Sequence, residues 1–113
     1  MDCLFCKVAK KEINAKILFE NDHVVAFHDI KPVAPTHVLV IPKKHIERLD
    51  RASPEDVQVL GEVLLGTRQV AQTLSLSDGG FRVVFNNGEQ SGQSVFHIHA
   101  HVLGGRHFAW PPG

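Results

Sequence analysis

Three histidines stand at alternate positions in one short apolar segment, at His97, His99 and His101. The residues around them are mostly apolar or β-branched, which favours a strand over residues 96–103. Successive side chains of a strand point to opposite faces, so the three imidazoles are expected to share one face. An imidazole near its ordinary pKa can take up and release protons at neutral pH. The spacing therefore predicts a row of proton-active groups along one strand.

Such a row could be the polar side of a half-buried strand, a metal site or a reaction centre. Solvent-facing strand positions usually carry Lys, Glu, Thr or Ser, which disfavours the first alternative. In a straight strand the outer two histidines lie about 13 Å apart at the backbone. Zinc ligands lie about 2.0–2.1 Å from the ion, so three such histidines cannot easily share one ion, although two neighbours can. The pattern favours a reaction centre, in which one histidine attacks and the others orient it or move protons.

The loop before the histidine row, residues 86–94, is rich in Gly, Asn, Gln and Ser. These residues supply flexible backbone, amides and hydroxyl donors, and loops of this kind can hold phosphate oxygens. An ordinary hairpin loop would have a similar composition, but the position directly before the row favours a phosphate site. A histidine nucleophile beside bound phosphate predicts attack on phosphorus through a transient phospho-histidine or nucleotidyl-histidine.

Length and composition indicate a single domain over residues 1–113, with 43% hydrophobic residues and a formal net charge of zero. At this charge we expect no broad nucleic-acid footprint. The start Met1-Asp2-Cys3 is not typical of a signal peptide, and we expect no apolar stretch long enough to cross a bilayer. The expected location is the cytoplasm, with neither nucleic acid nor membrane as a partner.

Five strands and two helices are expected along the chain. Ser53-Pro54-Glu55-Asp56 has the features of a helix start, and apolar residues then recur at helical spacing as far as Leu74. Strands that follow one another through short loops predict an antiparallel sheet, with the helices packed on one side of it. The expected class is α+β, with a short helical turn at 3–9 and strands at 16–20, 24–29, 37–41, 81–86 and 96–103.

The segment from His97 to Leu103 resembles the signature of the histidine-triad (HIT) superfamily, His-φ-His-φ-His-φ-φ with φ apolar. Further segments resemble the Hint branch of that superfamily in order and spacing, at 27–30, 34–37, 40–45, 92–95 and 104–113. The resemblance implies a five-stranded antiparallel sheet with one long and one short helix. It also implies a homodimeric purine nucleoside phosphoramidase, which releases a nucleoside monophosphate, typically AMP, from a phosphorus–nitrogen bond.

The resemblance assigns the chemical roles. His99 would be the nucleophile that takes the nucleotidyl group, and His101 would contact the phosphate and help to shift protons. His97 would hold the hydrogen-bond network of the site, and His37 would support the row from a neighbouring strand. Ser94 would lie near the leaving amine. No metal is required, because hydrogen-bond donors can stabilise the charge of the transition state.

The resemblance also implies a nucleotide site. Asp29 would accept hydrogen bonds from the ribose hydroxyls, since a carboxylate offers two acceptor oxygens; alternatively it is only a turn residue. Trp110 lies in a C-terminal tail that, in Hint homodimers, reaches towards the active site of the partner. The remaining expected contacts are Asn86, Gln93 and Ser94 to phosphate, and Phe5, Ile13, Phe27 and Ile30 around a base, preferably a purine.

Cys3 and Cys6 form a C-x-x-C pair, and they are the two cysteines of the chain. A structural disulfide is not expected in a cytosolic protein, and a redox motif would need a thioredoxin-like βαβ setting. One such pair supplies half of a zinc site. Some bacterial HIT proteins complete it with two histidines, and the matching positions are His45 and His97. A structural zinc and two free thiols are both open alternatives.

Three other functions compete with the phosphoramidase. Within the same superfamily, the chain could be a dinucleoside polyphosphate hydrolase, although its short length and Hint-like tail disfavour this. It could be a nucleotide-binding regulatory dimer with only weak catalysis. A small zinc-binding interaction module would rest on Cys3 and Cys6 alone, and it would leave the histidine row unexplained.

Overall fold

The structure is a computed structural model that describes residues 3–113, and within this range five strands form one antiparallel sheet. The strands are β1 (Ile17–Glu20), β2 (Val24–His28), β3 (Thr36–Pro42), β4 (Phe81–Phe85) and β5 (Ala100–Gly104). The helices are α1 (Leu4–Ala9) and α2 (Val57–Thr73), and 3-10 turns cover Leu49–Arg51, Pro54–Asp56 and Glu89–Ser91. The spatial order is β1-β2-β3-β5-β4. This confirms the predicted α+β fold with one long and one short helix.

Helix α2 begins where the sequence predicts. The backbone N–H of Ser53 donates to the carboxylate of Asp56 at 2.9 Å, which completes a capping box around Pro54. A 3-10 turn then leads directly into the α-helix at Val57. None of the helices within residues 3–113 combines the length and the apolar character that a membrane crossing requires.

The two helices lie on opposite faces of the sheet, so the expectation that both pack on one side is wrong. On one face α2 packs on alternate residues of the strands, among them Val24, Val40 and Val102. On the other face α1 packs through Phe5 and Val8 against Val25, Phe27, Leu39 and Ile41. The physical reason is that β2 and β3 are apolar at consecutive positions rather than alternating ones. Both of their faces therefore need cover from water.

Strand β5 begins at Ala100, so the predicted strand over 96–103 is wrong in its first half. The backbone N–H of Ile98 donates to the carbonyl of Ile46 at 2.7 Å, outside the ladder that pairs Ala100 with Val40. An apolar, β-branched pattern indicates burial, and residues 97–99 are buried without pairing to a strand. The straight geometry assumed for the histidine row consequently applies only from Ala100 onwards.

Helix α2 approaches the sheet closely at Gly66, where an added Cβ would lie 2.8 Å from Cγ1 of Val40. We expect Gly66→Ala to lower the free energy of unfolding by about 1–3 kcal/mol, because the methyl group would force helix and sheet apart. At Gly61 of the same helix an added Cβ meets nothing within 4 Å. Gly61→Ala is the matched control and should raise the free energy of unfolding by up to about 1 kcal/mol. Urea unfolding measures both variants, and equal stabilisation would refute the close approach.

Candidate active site

The backbone fixes the imidazole of His99 in one tautomer. Its Nδ1 lies 2.8 Å from the carbonyl oxygen of His97. A carbonyl only accepts, so Nδ1 carries the proton and Nε2 keeps its lone pair. Burial lowers the pKa of His99 below its ordinary value of 6.5, which favours the neutral ring. His99 therefore offers a neutral nitrogen nucleophile at Nε2.

His37 and His101 form a hydrogen-bonded chain that also begins at the backbone. The N–H of Val33 donates to Nδ1 of His37 at 3.1 Å, so the proton of the neutral His37 ring lies on Nε2. That Nε2 donates to Nδ1 of His101 at 2.8 Å. The remaining proton of His101 is then on its own Nε2, available to an acceptor such as a phosphate oxygen. Burial is the main cause that lowers the pKa of His101 to about 4, and the pKa of His37 is lowered for the same reason.

The rings of His99 and His101 lie side by side, with centroids 5.0 Å apart. On β5, His101 pairs with Leu39 of β3, and Leu39 pairs with Phe27 of β2, so these side chains share the sheet face that α1 covers. A lone pair on one ring and a donor on the next thus lie on the same side of the sheet. Together they can attack a phosphorus atom and bind its oxygens.

Asp29 is a turn residue, which was the alternative to its expected role as an acceptor for the ribose hydroxyls. Its Oδ1 accepts the backbone N–H of Lys31 at 2.8 Å, and its Oδ2 lies 3.4 Å from Nε2 of His37. A carboxylate has further acceptor positions after these contacts. Because Asp29 also lines the cavities described next, a turn residue and a ribose acceptor are compatible here.

A narrow cavity of about 140 Å³ opens beside Asp29, and its walls are mainly apolar. It shares Asp29, Ile30 and Ala15 with a wider, open cavity of about 760 Å³. We call the narrow cavity the slot. The expected residues Ile13, Phe27 and Ile30 line it, together with several that were not expected from the sequence, among them Leu4, Val8 and Leu39.

Leu4 and Val8 could have been found from their helical i, i+4 spacing on α1. Phe5 does not line the slot. It is buried beside it, edge-on to the rings of Phe27, His97 and His99 at centroid distances of 5.6, 6.1 and 5.0 Å. Phe5 therefore packs against the ring of His99 instead of lining the slot.

Backbone groups of its own loop and of Glu47 occupy the amide of Gln93. Its Nε2 donates to the carbonyls of Glu47 and Val95 at 2.9 and 3.2 Å, and its Oε1 accepts the N–H of Gly88 at 2.8 Å. The backbone N–H of Gln93 also donates to Gly88, at 3.2 Å. The N–H groups of Gln93 are thus all engaged by carbonyls, and none is left to donate to a phosphate as the sequence led us to expect. Gln93 instead holds the loop that precedes the histidine row.

Ser94 and Asn86 flank that loop. Ser94 is exposed and lines an open cavity of about 650 Å³ that also borders Cys3, Leu4 and His45. Asn86 directly follows β4 and is half-buried. Ser94 remains positioned to meet a group bound in this cavity.

Trp110 stands in an exposed tail beyond the edge strand β4, with 82% of its surface accessible. The guanidinium of Arg82 on β4 donates to the carbonyl of Ala109 at 3.0 Å. The guanidinium groups of Arg82 and Arg106 lie over the ring of Phe108 at 5.2 and 4.2 Å. The tail is therefore held against β4 while Trp110 projects outwards.

Cys3, Cys6, His45 and His97 converge on one point, and we call them the Cys–His cluster; their ligand atoms all lie within 4.8 Å of one another. Nε2 of His97 donates to the carbonyl of Pro42 at 2.8 Å, which leaves a lone pair on Nδ1 facing the cluster. That Nδ1 lies 3.1 Å from Nδ1 of His45, and 3.4 and 3.6 Å from the sulfurs of Cys3 and Cys6.

The cluster fits a zinc ion. Tetrahedral zinc bonds of about 2.0–2.3 Å require ligand atoms about 3.3–3.8 Å apart, close to the separations of the Cys–His cluster. Burial lowers the pKa of His97 to about 4, so its ring is neutral, as a ligand must be. Asp29, His37 and His101 also lie close enough to hold an ion. There, however, the Val33 N–H puts a proton on Nε2 of His37, so a hydrogen-bond chain is favoured.

Comparison with known proteins agrees with this geometry. Residues 10–108 match the family model of the HIT domain. The chain belongs to the HIT family. It is 51% identical over 112 residues to an uncharacterised HIT-like protein of Synechocystis sp., covering 99% of this chain and 97% of that protein.

Two solved HIT structures share the fold. One is a HIT family hydrolase from Legionella pneumophila Philadelphia 1, with a TM-score of 0.97 and 48% identity, covering 99% of this chain and all of that one (100%). The other is a histidine triad nucleotide-binding protein from Candida albicans, with a TM-score of 0.83 and 34% identity, covering 97% and 83% of the two chains. The predicted family is thereby confirmed for this HIT protein.

The lowered pKa of His101 predicts a loss of stability in mild acid. Between about pH 6.5 and 4 the unfolded chain binds a proton at this residue that the folded chain does not, so the free energy of unfolding falls as pH falls. The slope is at most about 1.4 kcal/mol per pH unit for each such histidine. The variant His101→Gln should therefore show a shallower slope than the wild type. Urea unfolding across this pH range measures both, and equal slopes in wild type and His101→Gln would contradict the assignment.

Proposed function

We propose that the protein hydrolyses nucleoside 5'-phosphoramidates of the AMP–amine type through a nucleotidyl-histidine intermediate on His99. The observation that carries the proposal is the pair of fixed tautomers, a lone pair on Nε2 of His99 beside a donor on Nε2 of His101. The Hint-like sequence supports the phosphorus–nitrogen bond as target. The Legionella relative, named a hydrolase, and the Candida relative, named a nucleotide-binding protein, support the general class.

In the first proposed step, Nε2 of His99 attacks phosphorus and the bond to the amine breaks. The amine leaves with the bonding electron pair and takes a proton from Nε2 of His101, near the hydroxyl of Ser94. In the second step water attacks phosphorus and gives a proton to His101, and the bond to His99 breaks. The products are the nucleoside monophosphate and the free amine, and both histidines return to their starting state.

We propose that the nucleotide lies with its ribose at Asp29 and its base in the slot. The apolar walls formed by Ile13, Phe27 and Ile30 suit stacking of any flat base. The preference for a purine nucleotide or nucleoside phosphoramidate therefore rests on the Hint resemblance. Asn86 stays a proposed phosphate contact.

His99→Ala should lower turnover of an AMP–amine substrate by at least about a thousand-fold, because the attacking atom is removed. The affinity for AMP should stay within a few-fold of wild type. Release of AMP by chromatography and binding by calorimetry measure the two effects. His107→Ala, an exposed histidine outside the site, is the matched control and should retain full turnover. Undiminished turnover in His99→Ala would eliminate the mechanism.

A comparison of substrates distinguishes the alternative functions. A phosphoramidase should show a higher kcat/KM on an AMP–amine compound than on a dinucleoside polyphosphate, and the reverse order would indicate the polyphosphate hydrolase. AMP binding with negligible turnover of both compounds would indicate a regulatory nucleotide-binding protein. The fixed tautomers of His99 and His101 favour catalysis over a purely regulatory role, and the Hint-like sequence favours the phosphoramidase over the polyphosphate hydrolase.

We also propose that the Cys–His cluster holds a structural zinc ion, which would link α1 to the segments that carry His45 and His97. Bound zinc supplies cohesion between these segments, and none of the proposed chemical steps involves it. Protein purified without added metal should contain close to one zinc per chain, and Cys6→Ser should contain much less. Elemental analysis measures the zinc content of both proteins. A content well below one zinc per chain, in protein never exposed to chelator, would support two free thiols instead. The thiol pair also suits the reducing cytoplasm, which is our proposed location.

We propose a homodimer in which Trp110 contributes to the site of the partner. The exposed Leu64 and Leu65 on α2, the free edge of β4 and the exposed Trp110 support a second copy of this chain as partner. Light scattering should give twice the mass of one chain. Trp110→Ala should change KM or the preference among leaving amines, whereas Leu4→Ala should alter nucleotide affinity. A monomer with unchanged kinetics in Trp110→Ala would contradict this arrangement.

A further inference from the structure

We propose that the Cys–His cluster is a positioning device for the nucleotide site, so that zinc and nucleotide bind cooperatively. Zinc in the cluster would fix the backbone of His97, which orients His99, and would fix α1, which forms part of the slot. Cys3, Cys6 and His45 then act as positioning residues. This inference rests on the proposed function for the identity of the site, and it extends that function to the control of its geometry.

The first connection runs through His97, which takes part in both sites. Its ring is held at both nitrogens, by the carbonyl of Pro42 at 2.8 Å and by the cluster. Its own carbonyl accepts the proton of Nδ1 of His99 at 2.8 Å. The side chain of His97 is 0% exposed, so a displacement of the ring displaces the backbone as well.

The backbone of residues 97–99 has little other support. Strand β5 begins at Ala100, so His97 and His99 lie outside the ladder that holds the rest of the row. The bond from Ile98 to Ile46 and the ring of His97 anchor this segment instead. Because Ile46 follows His45 directly, this backbone bond also depends on a ligand of the cluster.

The second connection runs through α1. Cys3 is its N-cap residue and Cys6 lies in its first turn. A helix of six residues is not stable alone and depends on tertiary anchors. Between the two cysteines, Leu4 lines the slot and Phe5 packs edge-on against His99 at 5.0 Å. Release of the cysteines would free the slot wall and the support of the nucleophile together.

The contacts among the four side chains of the cluster are individually weak. The contacts of the sulfur atoms to ring nitrogens are 3.4–3.6 Å long, and a thiol is a weak donor. Nδ1 of His45 and Nδ1 of His97 face each other at 3.1 Å, and two lone pairs cannot do so without a proton or a metal between them. Zinc would accept all four lone pairs at once, so its presence should stiffen both connections.

Linkage gives a test that does not require turnover. If zinc raises the affinity for AMP, saturating AMP must raise the affinity for zinc by the same factor. We expect a factor of at least about five, at the lower end of usual allosteric couplings. Competition with a chromophoric chelator measures zinc affinity with and without AMP, and calorimetry measures AMP affinity with and without zinc. Equal zinc affinities in the two conditions would overturn the proposal.

Two variants separate the positioning role from a general effect on folding. Phe5→Leu should keep its zinc affinity but lose much of the coupling, because it removes the ring between α1 and His99. Phe19→Leu is the matched control on the α2 face of the sheet and should keep both. His45→Ala should weaken zinc binding, and the residue that it changes does not line the slot. Identical coupling in Phe5→Leu and Phe19→Leu would refute the route through α1.

Spectroscopy then distinguishes the remaining outcomes. In zinc-free protein we expect an unchanged far-ultraviolet circular dichroism spectrum, together with nitrogen-15 shifts of His99 that report a mixture of tautomers. Re-addition of zinc should restore the single Nδ1–H tautomer. If zinc-free protein shows a single tautomer of His99, zinc does not orient that ring and the proposal is overturned. If zinc-free protein is unfolded, zinc stabilises the whole fold and does not position the site specifically, which also overturns the proposal. Failure to hydrolyse phosphoramidates would refute the proposed function but leave these binding and spectroscopic results intact.

Discussion

The organisation of the site depends on hydrogen bonds between imidazole rings and backbone groups. The carbonyls of His97 and Pro42 can only accept, and the N–H of Val33 can only donate, so each sets the tautomer of the ring it contacts. A carboxylate or hydroxyl partner could change its protonation or rotate, whereas a peptide group cannot. Three peptide groups therefore determine which nitrogen carries the proton in the neutral rings of His97, His99 and His37, and through His37 also in that of His101.

These backbone groups lie at or just beyond the ends of β3 and β5, in a sheet that is covered unequally on its two faces. One face is sealed by the 17 residues of α2, which approaches as closely as Gly66 permits. Within residues 3–113, the helical cover of the other face consists of the six residues of α1. The thin cover leaves room for cavities beside Asp29 and Ser94, but it also leaves α1 in need of anchors. The openness of the site and the dependence on Cys3 and Cys6 that we propose for it would thus have the same cause.

Much of this could be predicted from sequence because the deciding signals are local. The capping residues at Ser53, the short connection between β1 and β2 and the spacing of the histidine motif each involve residues close together in the chain. The start of β5 and the role of Gln93 could not be predicted, since they depend on bonds to Ile46 and Glu47, about fifty residues away. The face chosen by α1 was missed for a related reason. Consecutive apolar residues in β2 and β3 show that both faces are buried, but not which helix covers each.

His97 is the residue at which these considerations meet. From sequence it could belong either to the hydrogen bonds of the catalytic row or to a metal site. The structure removes the choice, because the ring contacts Pro42 and the Cys–His cluster while the carbonyl holds His99. A residue whose ring and backbone serve different sites transmits a displacement of one site to the other. In this chain the first histidine of the motif therefore lies between the Cys–His cluster and His99, and the ring that we propose as the nucleophile is oriented by the backbone of a residue to which we assign no attack.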